Sequence, residues 1–306
     1  MRIARTAAEA TAFGPSAVTI GNFDGIHIGH QHLFQETIDA ARERALKATV
    51  LTFDPHPARV VAPERAPRLL TATGERIALM GKYGIEQVLV LPFTSEVARL
   101  TPEQFVDQIL RKNLDAKIVL VGDNFRFGHK QSGDTKTLAG LIETKIVGAV
   151  KCRGRIVSSS AVRELIDAGD VSRACRFLNR PYSVSGEIVH GRGVGSKQTV
   201  PTLNLKTSAE VLPKRGVYIT RTTDLSAARK WNSITNIGFR PTFGGDNELT
   251  VETFLLQPLI GETPPRIRLE FLRRVRDERK FESPEALKSR ILIDIQRANT
   301  YFRRHP

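Results

Sequence analysis

The sequence predicts two domains of different class, with a boundary near residue 180: an α/β domain over 1–181 and a mostly antiparallel β domain over 182–306. Three observations carry this. Short apolar runs alternate with helix-period segments up to about residue 170, as in βαβ units around a parallel sheet. After RFLNRPYS, strand-like runs follow one another with Gly and Pro clusters between them, the pattern of an antiparallel barrel or sandwich. The chain then closes with the helix-period segment SPEALKSRILIDIQRANTYF. At 306 residues it is long enough for two ordinary cores.

The strand candidates of the first domain are Val18–Gly21, Thr49–Phe53, Gln87–Leu91, Lys117–Val121 and Lys145–Val150, with helices expected over 31–47, 73–83, 101–112 and 135–143. In the first helix Phe34, Ile38, Ala41 and Ala45 recur at three or four residues, which gives one apolar face. Thr101-Pro102-Glu103 reads as a helix start, with threonine as cap and proline in the first turn. In the second domain the strand candidates are Ser183–His190, Gly216–Thr222, Asn232–Ile237, Leu249–Leu256 and Arg266–Val275. Ser283 caps the closing helix, and Leu287, Ile291, Ile295 and Ala298 form its stripe.

With 41% apolar and 25% charged residues the chain reads as a soluble globular protein. No apolar run approaches the length of a membrane span. MRIARTAAEA lacks the apolar core and cleavage site of a signal peptide, so the expected location is the cytoplasm. Cys152 and Cys175 are too few for a disulfide framework and lack zinc-site spacing. The net charge of +14 predicts attraction to polyanions, either nucleic acid or nucleotide phosphates. The densest basic run, LRRVRDERK from Leu272 to Lys280, is interrupted by Asp277 and Glu278 and reads as a solvated face.

The first candidate site is NFDGIHIGH, Asn22 to His30, at the junction of the first strand and first helix. In a parallel sheet the ligand crevice lies at the carboxyl ends of the strands, and a helix N-terminus there offers free N–H groups to an anion. Gly21, Gly25 and Gly29 let the backbone approach a ligand, and two imidazoles can donate to phosphate oxygens. Two unrelated histidines, one capping and one packing, are the plainer reading. Three other segments favour the ligand site: TFDPHP after the second strand, GDNFRFG with Asn124 after another, and VSSSAVRELI, a serine cluster with Arg163 opening a late helix. There is no P-loop, so phosphate must be held by other means.

The second candidate is GRGVGSKQTVPTLNL, Gly191 to Leu205. By itself it fits a glycine-rich nucleotide loop or a plain hairpin loop equally well. Thr202 and Asn204 alternate with Leu203 and Leu205, so a strand there points both polar groups to one face, where they suit Mg²⁺ with substrate phosphates. Glu252 in TVETFLL is either a solvent-facing strand position or a positioned base, and periodicity alone favours the former.

GNFDGIHIGHQHL, TFDPHP, VGDNFRFGHKQSGD and VSSSAVR, in this order, together with PTLN, ITNIGFRPTFGG and TVETFLL, resemble the bacterial bifunctional riboflavin kinase/FAD synthetases. His27-Ile28-Gly29-His30 is similar to the H-x-G-H signature of the nucleotidylyltransferase superfamily. The resemblance implies a Rossmann-like nucleotidyltransferase domain followed by a six-stranded barrel with a C-terminal helix. It implies that riboflavin is phosphorylated by ATP in the second domain and FMN adenylylated to FAD in the first, with Mg²⁺ as the metal and flavins as substrate and product. By the same resemblance, His27 and His30 act on the ATP phosphates together with Gly21, Phe23, Asn124, Ser159, Ser160 and Arg163. Asn124 and Arg126 contact the flavin nucleotide, Gly191 and Gly195 cover the kinase ATP, Thr202 and Asn204 hold Mg²⁺, and Glu252 is the kinase base.

Some positions depart from the family pattern: Thr199-Val200 stands for Gly-Phe, Ser196 for an arginine, Phe254 for a histidine, and Gln257–Gly261 for an acidic stretch ending in Leu-Tyr-Gly. Class I aminoacyl-tRNA synthetases share the H-x-G-H signature, but their lysine-rich loop is replaced here by VSSSAVR. The competing reading from another class is a nucleic-acid-binding or regulatory protein on an idle nucleotidyltransferase fold. Nucleic acid and membrane are not expected partners, and the sequence leaves an oligomer open.

Overall fold

The structure, a computed structural model, describes residues 1–189, 202–241, 247–279 and 281–305. The chain divides into two compact units, Met1–Ser159 and Ser160–Pro306.

The first unit runs β1 (Arg2–Ala4), α1 (Ala7–Ala10), β2 (Ser16–Ile20), α2 (Ile28–Glu43), β3 (Lys47–Asp54), α3 (Ala58–Val61), α4 (Thr73–Lys82) and β4 (Gln87–Pro92). It continues with α5 (Ser95–Arg99), α6 (Pro102–Phe105), β5 (Ala116–Gly122), α7 (Thr135–Leu141), β6 (Thr144–Val147) and a small hairpin, β7 (Lys151–Cys152) with β8 (Arg155–Ile156). Six strands pair in parallel in the order β1-β4-β3-β2-β5-β6. From β2 the chain steps through β3 to β4 on one side, and then returns to place β5 and β6 on the other. The strand order therefore reverses between β2 and β5, which is where open α/β sheets bind ligands.

Both faces of the sheet are covered, so its central strands are apolar throughout: Ala17, Val18, Val50, Leu51, Val88, Leu89, Val119 and Leu120 are all buried. The α2 face packs Phe34 and Ala41 against Val50 and Leu120, and the opposite face packs Val106 and Leu110 against Val18 and Val119. One expectation needs correction. Ala45 lies past the end of α2 with φ of 53° and is exposed, so it is not part of the apolar stripe. The helix begun at Pro102, with Thr101 and Gln104 forming a capping box, continues over Val106–Asn113 as a π-helix.

The second unit takes in α8 (Ser159–Asp167) from its second residue onward. It continues with α9 (Val171–Leu178), β9 (Tyr182–Val189), β10 (Thr202–Lys206), β11 (Gly216–Asp224), β12 (Lys230–Pro241), β13 (Asn247–Leu255), β14 (Arg266–Arg276) and α10 (Pro284–Arg304). The six strands close a barrel in the order β10-β13-β12-β11-β14-β9, all neighbours antiparallel, with β9 pairing β10 to complete the ring. Closure settles the barrel-or-sandwich alternative.

Part of the barrel interior is polar. Thr220, Thr222, Ser233, Thr235 and Thr253 are fully buried, and their hydroxyls form a chain with links of 2.8–2.9 Å. Ser233 Oγ donates to the carbonyl of Thr220 at 3.0 Å. Each hydroxyl has one proton, so Thr220 and Thr222 donate to Ser233, Thr235 to Thr220, and Thr253 to Thr235.

Outside the barrel, Ala298 and Phe302 of α10 pack on Val217, Ile219 and Ile234. Ile295 is partly buried against this cluster, whereas Leu287 is 37% exposed and does not belong to the buried stripe. The basic run is also less solvated than expected. Arg276 pairs with the buried Asp294 at 2.7 Å, and Arg274 Nε donates to the Tyr218 hydroxyl at 3.2 Å.

Candidate active sites

The histidine loop leaves β2 at the reversal point of the sheet. Phe23, Gly25 and Ile26 all have positive φ (50°, 77° and 40°), so the chain turns sharply before entering α2. The turn is clamped from inside. The buried Asp24 carboxylate accepts N–H bonds from Leu70 at 3.0 Å and Thr71 at 3.1 Å, and Thr71 Oγ1 accepts from the Gly25 N–H at 3.0 Å. Ser159 Oγ donates to the Asp24 carbonyl at 2.9 Å. Gly21 is needed for close approach, because a Cβ there would lie 3.0 Å from the Phe23 ring.

His27 is the N-cap of α2, and its Nδ1 accepts the His30 N–H at 3.4 Å. That bond places the ring proton on Nε2. The His27 and His30 rings stack with centroids 3.6 Å apart, and Phe23 meets His30 edge-on at 5.2 Å. Burial, then His27 and then Arg76, holds His30 well below the usual imidazole range. It is therefore neutral at pH 7. Its Nδ1 is buried without a partner among the described residues. Gly29 is required for a local reason: a Cβ there would lie 3.1 Å from Cε1 and Nδ1 of His27.

Asn124 stands exposed in the turn just past β5, on the other side of the reversal point. Arg126 is also exposed, with Nη1 3.8 Å from Asp134. At α8, Ser160 is exposed in the first turn and Arg163 is half-buried one turn on, a spacing that puts both on one helix face. Sequence reasoning passed over His56 and Arg76. His56 accepts the Ala58 N–H at Nδ1, and its Nε2 lies 3.1 Å from the Asn22 side-chain amide nitrogen. Its motif, TFDPHP, was the available signal. Arg76 is buried beneath the loop, and nothing in its helix spacing marked it.

In the barrel, register brings the expected groups together. Asn204 on β10 is opposite Glu252 on β13, and Glu252 is opposite Asn236 on β12. These three form one cross-strand row. Thr202 is two residues from Asn204 on the same face, exposed, and opposite Phe254. Asn236 was not singled out from sequence, although its motif ITNIGFRPTFGG was. Beside it, Phe239 N–H donates to the Glu278 carboxylate at 3.2 Å, and this carboxylate lies so close over Gly238 that any Cβ would collide with it. Gly191 and Gly195 lie outside the described residues.

Farther along β12 on the same face, Asn232 lines a cavity of about 820 Å³ with Gln296, Asn299, Thr300, Phe302 and Arg303 of α10. The Asn232 N–H donates to Gln257 Oε1 at 2.9 Å, which ties the altered Gln257–Gly261 segment to this end of the strand.

Comparison with known proteins decides the family. The family model described as FAD synthetase matches residues 10–161, and that described as riboflavin kinase matches residues 178–302. The bifunctional riboflavin kinase/FMN adenylyltransferase of Pseudomonas fluorescens is 35% identical over 285 residues, covering 92% of this chain and 91% of that one. This chain belongs to the bifunctional riboflavin kinase/FMN adenylyltransferase family. The member from Escherichia coli (strain K12) is 33% identical over 290 residues, covering 93% of this chain and 92% of its own. A crystal structure from Streptococcus pneumoniae, named there a macrolide-efflux protein, matches with TM-score 0.86 and 28% identity over 95% of this chain and 96% of its own. Among the described residues no helix is long and apolar enough to cross a membrane. Within this family, the histidine loop and GDNFRFG fall in the FAD synthetase match, and Thr202, Asn204 and Glu252 in the riboflavin kinase match.

Proposed function

We propose that the protein makes both flavin cofactors in the cytoplasm, phosphorylating riboflavin to FMN in the barrel domain (182–306) and adenylylating FMN to FAD in the α/β domain (1–181). The observation that carries the reading is the coexistence of two sites: a histidine loop at the reversal point of a parallel sheet and the Asn204–Glu252–Asn236 row across a barrel.

In the kinase step the ribityl 5′-hydroxyl attacks the γ-phosphorus of ATP, Glu252 takes its proton, and ADP leaves. Asn204 and Asn236 on the flanking strands orient the Glu252 carboxylate. Thr202 and Asn204 present hard oxygen donors, and among the described residues no group of three His, Cys, Asp or Glu forms a metal cluster. That donor set fits Mg²⁺, which keeps several waters and shares its shell with phosphates. When bound, the ion offsets phosphate charge. The cavity beside Asn232 supports a seat for the isoalloxazine ring. Four residues of strand from Asn236 to Asn232 span about 13 Å, close to the length of riboflavin from its 5′-hydroxyl to the far ring edge.

In the adenylyl step a phosphate oxygen of FMN attacks the α-phosphorus of ATP, and pyrophosphate leaves. No activated side-chain nucleophile is needed, so catalysis rests on alignment and charge stabilisation. The His27 Nε2–H and the neutral His30 ring donate to phosphate oxygens, with Ser159 held on the same turn. Gly21 and Phe23 shape the nucleotide floor, and Asn124 and Arg126 take the flavin nucleotide.

The test is to incubate the purified protein with riboflavin, ATP and Mg²⁺ and to separate the flavins over time. FMN should appear first and FAD after it. The double variant His27→Ala/His30→Ala should stop at FMN. Absence of any product, even with FMN supplied, would overturn the assignment.

A further inference from the structure

Arg76, on α4, is 1% exposed and the largest fully buried side chain among the described residues. Its Nη1 donates to the Asn22 carbonyl at 2.9 Å, and its Nη2 reaches the Phe53 carbonyl and Thr73 Oγ1, each at 3.3 Å. Its Nε is buried without a partner among the described residues. Asn22 follows β2 and Phe53 is near the end of β3, so one guanidinium bridges the carboxyl ends of two adjacent parallel strands. Asp24 and Asp54 are close enough to favour its charge. Neither is in salt-bridge contact with it, and the Asp24 carboxylate is already bonded to Leu70 and Thr71. A desolvated cation held mainly by neutral carbonyls is costly to bury, and a core this apolar has no packing need for one.

We propose that Arg76 is a positioning residue for adenylyl transfer: it locks the ends of β2 and β3 into one floor under the histidine loop and supplies a fixed positive charge beneath the ATP phosphates. This rests on the reading of that loop as the ATP-phosphate site. The mechanical link is short. Asn22, whose carbonyl Arg76 holds, meets His56 through its side chain and precedes Phe23, whose ring packs on His30 at 5.2 Å. A shift of Asn22 therefore reaches both rings.

The electrostatic link follows from the stacked histidines. Protonating His30 is opposed by burial, by His27 on its own loop and by Arg76 from α4, while Asp24 and Asp54 act on Arg76. His30 itself therefore carries no charge, whereas the guanidinium stays protonated at any physiological pH. The phosphate attraction that Arg76 supplies then does not vary with pH across the imidazole range, and the neutral His30 ring serves as an N–H donor.

The experiment compares the full-length protein with Arg76→Met and Arg76→Lys. FMN-to-FAD conversion is measured from pH 5 to 9 with FMN supplied, riboflavin kinase activity is measured in the same samples, and His30 is titrated by NMR. Arg76→Met should lose about tenfold to a hundredfold in kcat/KM for ATP, as expected when a charged hydrogen-bonding group is removed from a desolvated site. Kinase activity should be unchanged, and the acid limb of the FAD profile and the His30 titration should both move to higher pH. Arg76→Lys keeps the charge but cannot bridge both carbonyls. It should lower kcat several-fold with the acid limb in place. If Arg76→Met does not fold, the lysine variant decides alone, since an acid limb that moves with lysine, or a rate within about twofold of the parent, overturns the proposal. FAD formation that survives loss of both histidines would instead remove the reading on which the proposal stands. Loss in that double variant, with Arg76→Met within about twofold of the parent at every pH, removes the Arg76 inference alone.

Discussion

Substituting Gly29 by alanine sets two effects of known sign against each other. Gly29 is the second residue of α2, where alanine ordinarily stabilises a helix by about 0.5–1 kcal/mol relative to glycine. The added Cβ, however, lies 3.1 Å from both Cε1 and Nδ1 of His27, several tenths of an ångström inside ordinary contact. The ring must move, and the bond it accepts from the His30 N–H is already 3.4 Å long. Losing that cap costs about 1 kcal/mol, so the net change in stability is close to zero. Activity should respond differently. Displacing a catalytic group by about 1 Å costs roughly a hundredfold, so a shift of a few tenths predicts a loss of about tenfold in FAD formation. The assay is FMN-to-FAD turnover alongside urea unfolding and riboflavin phosphorylation. A Gly29→Ala protein with unchanged FAD turnover would refute the claim that this glycine exists to let His27 fold back over the helix start.

Glu252→Gln should abolish riboflavin phosphorylation while sparing conversion of supplied FMN to FAD, as read by flavin chromatography; parallel loss of both would contradict separate sites. Thr220→Val removes the shared link of the buried hydroxyl chain, although Ser233 keeps Thr222 and Thr235 keeps Thr253. The cost should be about 1–2 kcal/mol, seen as a lower denaturation midpoint of the barrel. His30 is held below its ordinary value of 6.5, so the unfolded chain takes up a proton there before the folded chain does. The α/β domain should therefore lose stability as pH falls below about 6.5, by up to about 1.4 kcal/mol per pH unit, and His30→Gln should flatten that slope in urea titrations at several pH values.

The β strands of the parallel sheet were legible because a strand covered on both faces must be apolar along its length, and Thr49–Phe53 and Gln87–Leu91 are runs of that kind. Helix starts were less legible. The expected start at residue 31 was late because the N-cap is His27, not one of the usual small polar residues. The short edge strand Arg2–Ala4 has too few residues to show a period. Glu252 illustrates a deeper limit. Alternation along TVETFLL shows which face it occupies, but its importance comes from Asn204 and Asn236 on two other strands, a relation set by barrel register. Arg76 was illegible for a similar reason: its partners are carbonyls from residues 22 and 53, which no local pattern contains. The stripe residue Leu287 was misplaced because α10 extends past the barrel surface that its later turns cover.

The strand that bears Thr202 and Asn204 is also the strand that closes the barrel, pairing β9 on one side and β13 on the other. The seam strand thus carries two of the proposed kinase residues, Thr202 and Asn204, within Thr202–Lys206. Any opening of the ring at β10 would disperse the proposed kinase site before the remaining sheet is disturbed. Conversely, a nucleotide held on that strand acts as a clasp, coupling occupancy to the integrity of the whole barrel. Kinase activity therefore doubles as a gauge of closure, sensitive to partial opening that bulk spectroscopy would average away.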